Sequence, residues 1–239
     1  MMNYLRQLKF QLKIFLLEKI HWLILVLALV LQFADISFKN SNTFSPVYIN
    51  NLSRSVFLFT SIVYGVLATR FFLMEVSKQS QIQWARPSFR VNFIIVKFFA
   101  MFFGVLILLL PTLVIMLIRG VSFNNLAGLF QGASLWFYLF TSTFLFATVL
   151  SVLSGLLLRK PALAMPFTLI SLIWLAIRQT VWPDLVKYYV SESFGLLYGY
   201  GPIRETLQLN RGYFLMLSIS LLLLAILIDI LSSLQTRAS

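Results

Sequence analysis

Residues 91–118 are almost wholly Val, Ile, Leu, Phe and Met, with one charge, Lys97, and one proline, Pro111. A run of this length is enough to cross a bilayer, whose ~30 Å hydrocarbon core takes about 20 apolar residues as helix. Inside lipid, backbone N–H and C=O groups must find partners within the protein, which leaves helices for a chain patterned this way. Similar apolar runs recur along the 239 residues, and the chain is 60% hydrophobic and only 11% charged. A soluble domain carries about 25% charged residues. The expected fold class is therefore an all-α membrane protein, one transmembrane domain over residues 1–239, with no polar stretch long enough for a separate soluble domain.

Six spans are expected, at residues 21–34, 54–74, 91–118, 126–158, 161–177 and 212–234. The first has a short apolar core and is not a cleaved leader, because no small-x-small pattern follows it. Pro111 removes a backbone hydrogen bond from the third span and kinks it, which membrane helices tolerate. The fourth is long enough to tilt or project, and Arg159-Lys160-Pro161 ends it. The fifth is short and carries Pro166. Before the first span, residues 3–19 read as an amphipathic helix lying in the membrane interface. Tyr4, Leu5, Leu8, Leu12, Phe15 and Leu16 share one face, beside Arg6, Lys9 and Lys13. The competing reading extends the first span backwards. Residues 178–211 are rich in aromatics and suit a re-entrant element at headgroup depth, or a surface helix followed by a loop.

An even number of spans places both termini on one side. With that side cytoplasmic, twelve of the 19 Lys and Arg residues fall inside and seven outside, the direction of the positive-inside rule. The expected location is the plasma (bacterial inner) membrane with cytoplasmic termini. The net charge of +12 is distributed around the ends of apolar runs, so it argues for membrane orientation and lipid contact, not for nucleic acid.

Little in the sequence supports chemistry in this chain. There is no cysteine and one histidine, His21, which reads as an interface residue, so thiol nucleophiles and the usual metal sites are excluded. No Gly-x-x-x-x-Gly-Lys-Ser/Thr phosphate loop and no Gly-x-Ser-x-Gly elbow occurs. Asp229 is the one acid well inside an expected span, a functional candidate by default. It lies near the cytoplasmic end, where it can reach water or a basic residue. Gly128/Gly132 and Ser151/Gly155 have the spacing that lets helices approach closely.

The longest polar break on the expected cytoplasmic side is 75–97. It carries Lys78, Arg86, Arg90 and Lys97, broken by Pro87, with Ile82 and Trp84 as apolar anchors. Glu75 follows the second span, Arg90 sits near the position for an arginine, and Lys97 lies ten residues beyond Pro87. This arrangement resembles permeases of the type 2 ATP-binding-cassette (ABC) exporter family, apart from the family's glycine after the acid, near which Gln79 and Ser80 stand. The interfacial helix, six spans and re-entrant element resemble the rest of that architecture. The resemblance implies a coupling helix at 75–90 that docks on a separate ATPase subunit through Glu75, Lys78, Ile82, Trp84, Arg86, Pro87, Arg90 and Lys97. It implies a second permease, identical or homologous. It also places ATP and magnesium on the partner, so that this chain is a transport subunit with no cofactor and no catalysis of its own. Aromatic-rich, uncharged spans suit export of an amphipathic or hydrophobic cargo such as a peptide, a lipid-linked molecule or a drug. The alternatives are an ATP-independent secondary transporter or channel, and a scaffold that transports nothing.

Overall fold

The computed structural model describes residues 2–38, 56–78, 87–120, 126–177 and 201–238. Among them are seven α-helices and no strand: α1 (Met2–Leu17), α2 (Trp22–Phe38), α3 (Leu58–Lys78), α4 (Pro87–Gly120), α5 (Leu126–Leu158), α6 (Pro161–Ile177) and α7 (Gly201–Ala238). A 3₁₀ turn, Lys19–His21, joins α1 to α2. Three helices hold segments long and apolar enough to cross a membrane: Val91–Ile115 in α4, Phe140–Leu158 in α5 and Leu209–Leu231 in α7. The protein is a helical membrane protein on that evidence. Leu58–Met74 of α3 and Pro161–Ile177 of α6 are shorter apolar helices. With a rise of about 1.5 Å per residue, α4, α5 and α7 each reach roughly 50 Å or more, well beyond the hydrocarbon thickness.

Contacts between the helices give their directions. Tyr64 meets Thr148 and Gly65 meets Ser151, while further along both chains Phe72 packs on Gly155, so α3 and α5 run parallel. Thr69 meets Thr168 while Leu172 lies over Gly65, so α6 runs antiparallel to α3. Arg211 meets Ser142 and Phe214 meets Phe146, so α7 runs parallel to α5. Gln32 of α2 donates to the Thr112 carbonyl of α4, and the other ends of these two helices both meet Phe71. Helices α3, α5 and α7 thus run one way and α6 the other, while α2 and α4 run parallel to each other.

The hub is α5, which packs against α3, α4, α6 and α7. Its apolar segment is 72% buried, against 22% for that of α7, most of which faces outward. One face of α5 carries a stack of aromatic rings four residues apart: Trp136 on Phe140 at 5.0 Å and Phe140 on Phe144 at 4.8 Å. Phe57 of the turn preceding α3 meets Trp136 and Phe144 edge-on. Another part of its surface carries small and hydroxylated residues. The Tyr64 and Thr148 hydroxyls lie 2.7 Å apart, and Ser151 Oγ is 2.8 Å from the Gly65 carbonyl. The Thr69, Thr168 and Ser154 hydroxyls form a chain with spacings of 2.9 and 2.6 Å. Three of these contacts link α3 to α5 or α6. At about 0.6 kcal/mol each they supply only ~2 kcal/mol, so close packing across the small residues has to carry most of the association.

Several expected boundaries move. The connection assigned to 178–211 is helix from Gly201 onward, continuous with the last apolar segment; residues 178–200 lie outside those described. Pro202 does not prevent this, since in a first turn its missing N–H has no intrahelical partner to lose. Pro111 lies inside α4, which continues as helix on both sides of it. Tyr4–Leu17 and Lys19–Ala34 meet at a bend of 69°, and together the pair is long and apolar enough for one broken span or a re-entrant element.

Glycines at three positions give a stability test. A Cβ on Gly104 would lie 2.3 Å from the Phe15 ring, whereas one on Gly212 meets nothing within 4 Å. Gly65 is intermediate, because the obstructing atom is the flexible tip of Leu172. Gly104→Ala should destabilise the purified protein by about 1–3 kcal/mol through overpacking. Gly212→Ala should be neutral or stabilising, and Gly65→Ala should fall between. Thermal unfolding midpoints in detergent check the order, and equal midpoints for the Gly104 and Gly212 variants would contradict the packing described.

Candidate functional site: a buried lysine between α3, α4 and the N-terminal elbow

Lys97 enters the protein ten residues into α4 and is completely buried. Its Nζ donates to the Phe71 carbonyl at 2.7 Å and the Phe72 carbonyl at 3.0 Å, both in the last turns of α3. Three rings surround the ammonium, those of Phe71, Phe93 and Phe72, with centroids 4.7, 5.2 and 5.8 Å away. A cation is attracted to the faces of such rings when water is excluded. The lysine therefore ties the beginning of α4 to the end of α3, on either side of the 79–86 connection.

Phe71 is shared with a second cluster. Its ring meets Phe15 edge-on at 5.2 Å and His21 at 5.5 Å. The imidazole of His21 stacks on Phe15 at 3.9 Å, and its Nδ1–H donates to the Phe15 carbonyl at 2.7 Å. Trp22 Nε1–H donates to the Leu16 carbonyl at 2.9 Å. Carbonyls in the last turn of a helix lack intrahelical donors. Here the side chains of the next element supply them, which holds the elbow at its angle. Glu18 lies 3.6 Å from His21 Nε2 and 3.8 Å from Arg70 of α3, closing the elbow on the same helix that bears Phe71. Both distances are long for ion pairs, and Arg70 is half-exposed, so packing around Phe15 and Phe71 outweighs these charges.

Phe15 seats the other side of α1 against α4, at Gly104. The apolar face read in the sequence is thus partly a protein-packing face: Phe15 is buried, and Leu8, Leu12 and Leu16 are half-buried. Arg6, Lys9 and Lys13 are exposed, as are Phe10 and Leu17.

The expected coupling residues divide into three groups. Lys97 is placed, and its burial makes it a residue that positions helices, not one that touches a soluble partner. Glu75 and Lys78 belong to the last turn of α3, and Pro87 and Arg90 to the first turn of α4. Ile82, Trp84 and Arg86 lie outside the described residues. The backbone thus puts the ends of α3 and α4 where 79–86 must bridge them. Asp229 is 4% exposed, so it is packed and not open to water at its end of the span. Among the described residues no group of three His, Cys, Asp or Glu side chains is arranged to hold a metal.

Sequence reading missed the shared aromatic cluster. His21 looks like an interface residue because it neighbours Trp22, yet it is 1% exposed. The available hint was Phe15, on the same helical face as Leu8 and Leu12. Arg211 was also missed: it is buried, donating to Ser142 Oγ at 3.0 Å and Thr143 Oγ1 at 3.3 Å. Adjacent hydroxyls in an apolar span were the signal there.

Comparison with known protein families, with curated proteins and with solved structures finds no match.

Phe71→Ala removes the ring shared by the two clusters and should cost about 3–5 kcal/mol, the range for truncating a buried phenylalanine. Hydrogen exchange should rise in α1 as well as at the start of α4. Exchange rising in α3 alone would show that the elbow is not held through Phe71.

Proposed function

We propose that this chain is the transmembrane permease subunit of an ABC exporter. The observation that supports it most is the rigid base beneath the 79–86 connection. Lys97 locks α4 to α3, and Phe71 continues the contact into the N-terminal helix. A push delivered to the connection would reach α3, α4 and α1 together, which is the mechanical property a coupling segment needs. The sequence supports the same reading by its loop residues and by holding no phosphate-binding loop.

In this reading six helices, α2 to α7, cross the bacterial inner membrane with both termini in the cytoplasm, and α1 lies in the interface. The sharp elbow favours that position for α1. Glu75, Lys78, Ile82, Trp84, Arg86, Pro87 and Arg90 meet the ATPase, while Lys97 positions the helices behind them. ATP and magnesium are held by the partner. A second permease, identical or homologous, completes the pathway for a hydrophobic or amphipathic cargo.

Co-expression with candidate ATP-binding subunits should yield a complex whose ATPase activity depends on this chain. Replacing Arg86, Pro87 and Arg90 together should abolish co-purification while leaving the permease folded. Failure to retain any ATPase subunit would overturn the reading. Lys97→Met fills similar space without charge, and replacing a buried ion by an apolar residue is often neutral or stabilising. It should keep the thermal midpoint within a few degrees yet reduce ATP-driven transport at least tenfold. A variant with full transport would remove Lys97 from the coupling role.

The burial of Asp229 inside an apolar segment supports a second reading, an ATP-independent secondary transporter. Transport in proteoliposomes without ATP, lost in Asp229→Asn, would favour it over the first.

A further inference from the structure

The two-residue turn between α5 and α6 opens onto an apolar groove of about 400 Å³, lined by Pro161, Ala162, Met165, Pro166 and Leu169 of α6 and by Val66 of α3. These α6 positions form one stripe along the helix, rising about 12 Å from its first residue. The stripe is concave for a reason visible in the sequence. Pro161, Ala162 and Pro166 add little side-chain bulk along the stripe beside Met165 and Leu169. Pro166 also has no N–H to give to the Ala162 carbonyl, so the missing helical bond lies in the groove wall. Around the stripe α6 is exposed and apolar, with Leu163, Phe167, Ile170 and Trp174 uncovered. Such a surface faces acyl chains, not water.

Arg159 and Lys160, both exposed, immediately precede Pro161, the first α6 residue of the groove wall. Arg159 has φ 52°, the left-handed conformation that closes many helices and in which glycine is much the commoner residue. The turn is tight: Arg159 N–H donates to the Gly155 carbonyl at 3.0 Å, and Leu163 N–H to the Lys160 carbonyl at 3.0 Å. The backbone thus holds two successive cations beside the Pro161 end of the groove.

We propose that this groove is a binding site for an anionic glycerophospholipid, with one acyl chain along Pro161–Leu169 and the phosphate at Arg159 and Lys160. The selectivity must come from the headgroup. An acyl chain leaving bulk lipid for the groove gains little, because lipid tails are as apolar as the groove wall. A cation facing an anionic headgroup does gain, by an amount equivalent to about fivefold in affinity per charge. The groove occupies the α5–α6 turn end of α6, so the bound lipid belongs to the leaflet on that side. The site is separate from the Lys97 cluster and holds whether or not an ATPase drives the protein.

The test is native mass spectrometry of the delipidated, detergent-purified protein titrated with phosphatidylglycerol, and with phosphatidylcholine of the same chains. Wild type should retain phosphatidylglycerol at least tenfold more tightly than phosphatidylcholine. The exposed double variant R159A/K160A should weaken phosphatidylglycerol about 25-fold, two charges at about fivefold each, and weaken phosphatidylcholine, whose choline offsets its phosphate, by less. M165W, which fills the groove without altering charge, should abolish the tight phosphatidylglycerol adduct. Soluble glycerol phosphate should not bind, since it lacks the chain. Equal affinity for the two lipids, wild-type phosphatidylglycerol binding in either variant, or binding of glycerol phosphate as tight as that of the lipid would each overturn the proposal. A circular-dichroism melt shows that both variants remain folded. If M165W does not fold, M165F serves as the filling variant under the same criterion.

Discussion

The ammonium of Lys97 lies where water does not reach, and the arrangement of three helices follows from how it is satisfied. A buried charge stripped of its partners is heavily penalised. Lys97 therefore requires the Phe71 and Phe72 carbonyls, and hence the last turns of α3, to sit beside α4. The rings that complete its shell include Phe71, which is also the floor beneath Phe15 and His21. One charged group thereby fixes α4 against α3 and, through a shared ring, fixes the elbow against both. Buried ion sites are weak evidence for stability, because apolar replacements often do as well.

The remainder of the bundle depends on a different device. Lipid offers no hydrophobic drive for one apolar helix to leave it for another, so α3, α5 and α6 associate where backbone can approach backbone. Gly65, Gly155 and the hydroxyls of Thr69, Ser151, Ser154 and Thr168 mark that seam. It lies between the elbow cluster and the buried aromatic stack of Trp136, Phe140 and Phe144. The outward helices α6 and α7 carry large exposed apolar residues instead. The lipid groove is a local exception on α6, shaped by residues that are small or lack an N–H.

Much of this was legible before any coordinates. Long apolar runs identified a helical membrane protein, and Arg159-Lys160-Pro161 marked a sharp turn that the structure places between α5 and α6. The spacing of Ser151 and Gly155 correctly indicated close approach, with Phe72 and Gly65 as the surfaces approached. Other features were read less well. Polar or proline-containing segments looked like loop, yet Gly201–Arg211 is helix, because local composition weighs less than continuity with an apolar segment that must be helical in lipid. Lys97 looked like one cation among several near a loop. Nothing local distinguishes a lysine that faces a partner from one that folds back onto its own carbonyls.

The sequence alone determined the material: an apolar helical chain, its principal breaks, the sign and placement of its charges, and the lack of a phosphate-binding loop. These follow from solvent preference and backbone satisfaction, which act residue by residue. Only the tertiary structure decided which residues meet. It placed Phe15 over Gly104, His21 on the Phe15 carbonyl and Lys97 among three phenylalanines. Those pairings join positions from about 25 to almost 90 residues apart, except for the local cap at His21 and for Phe93, one helical turn before Lys97. They depend on how rigid helices dock, which the pattern along any one helix does not specify.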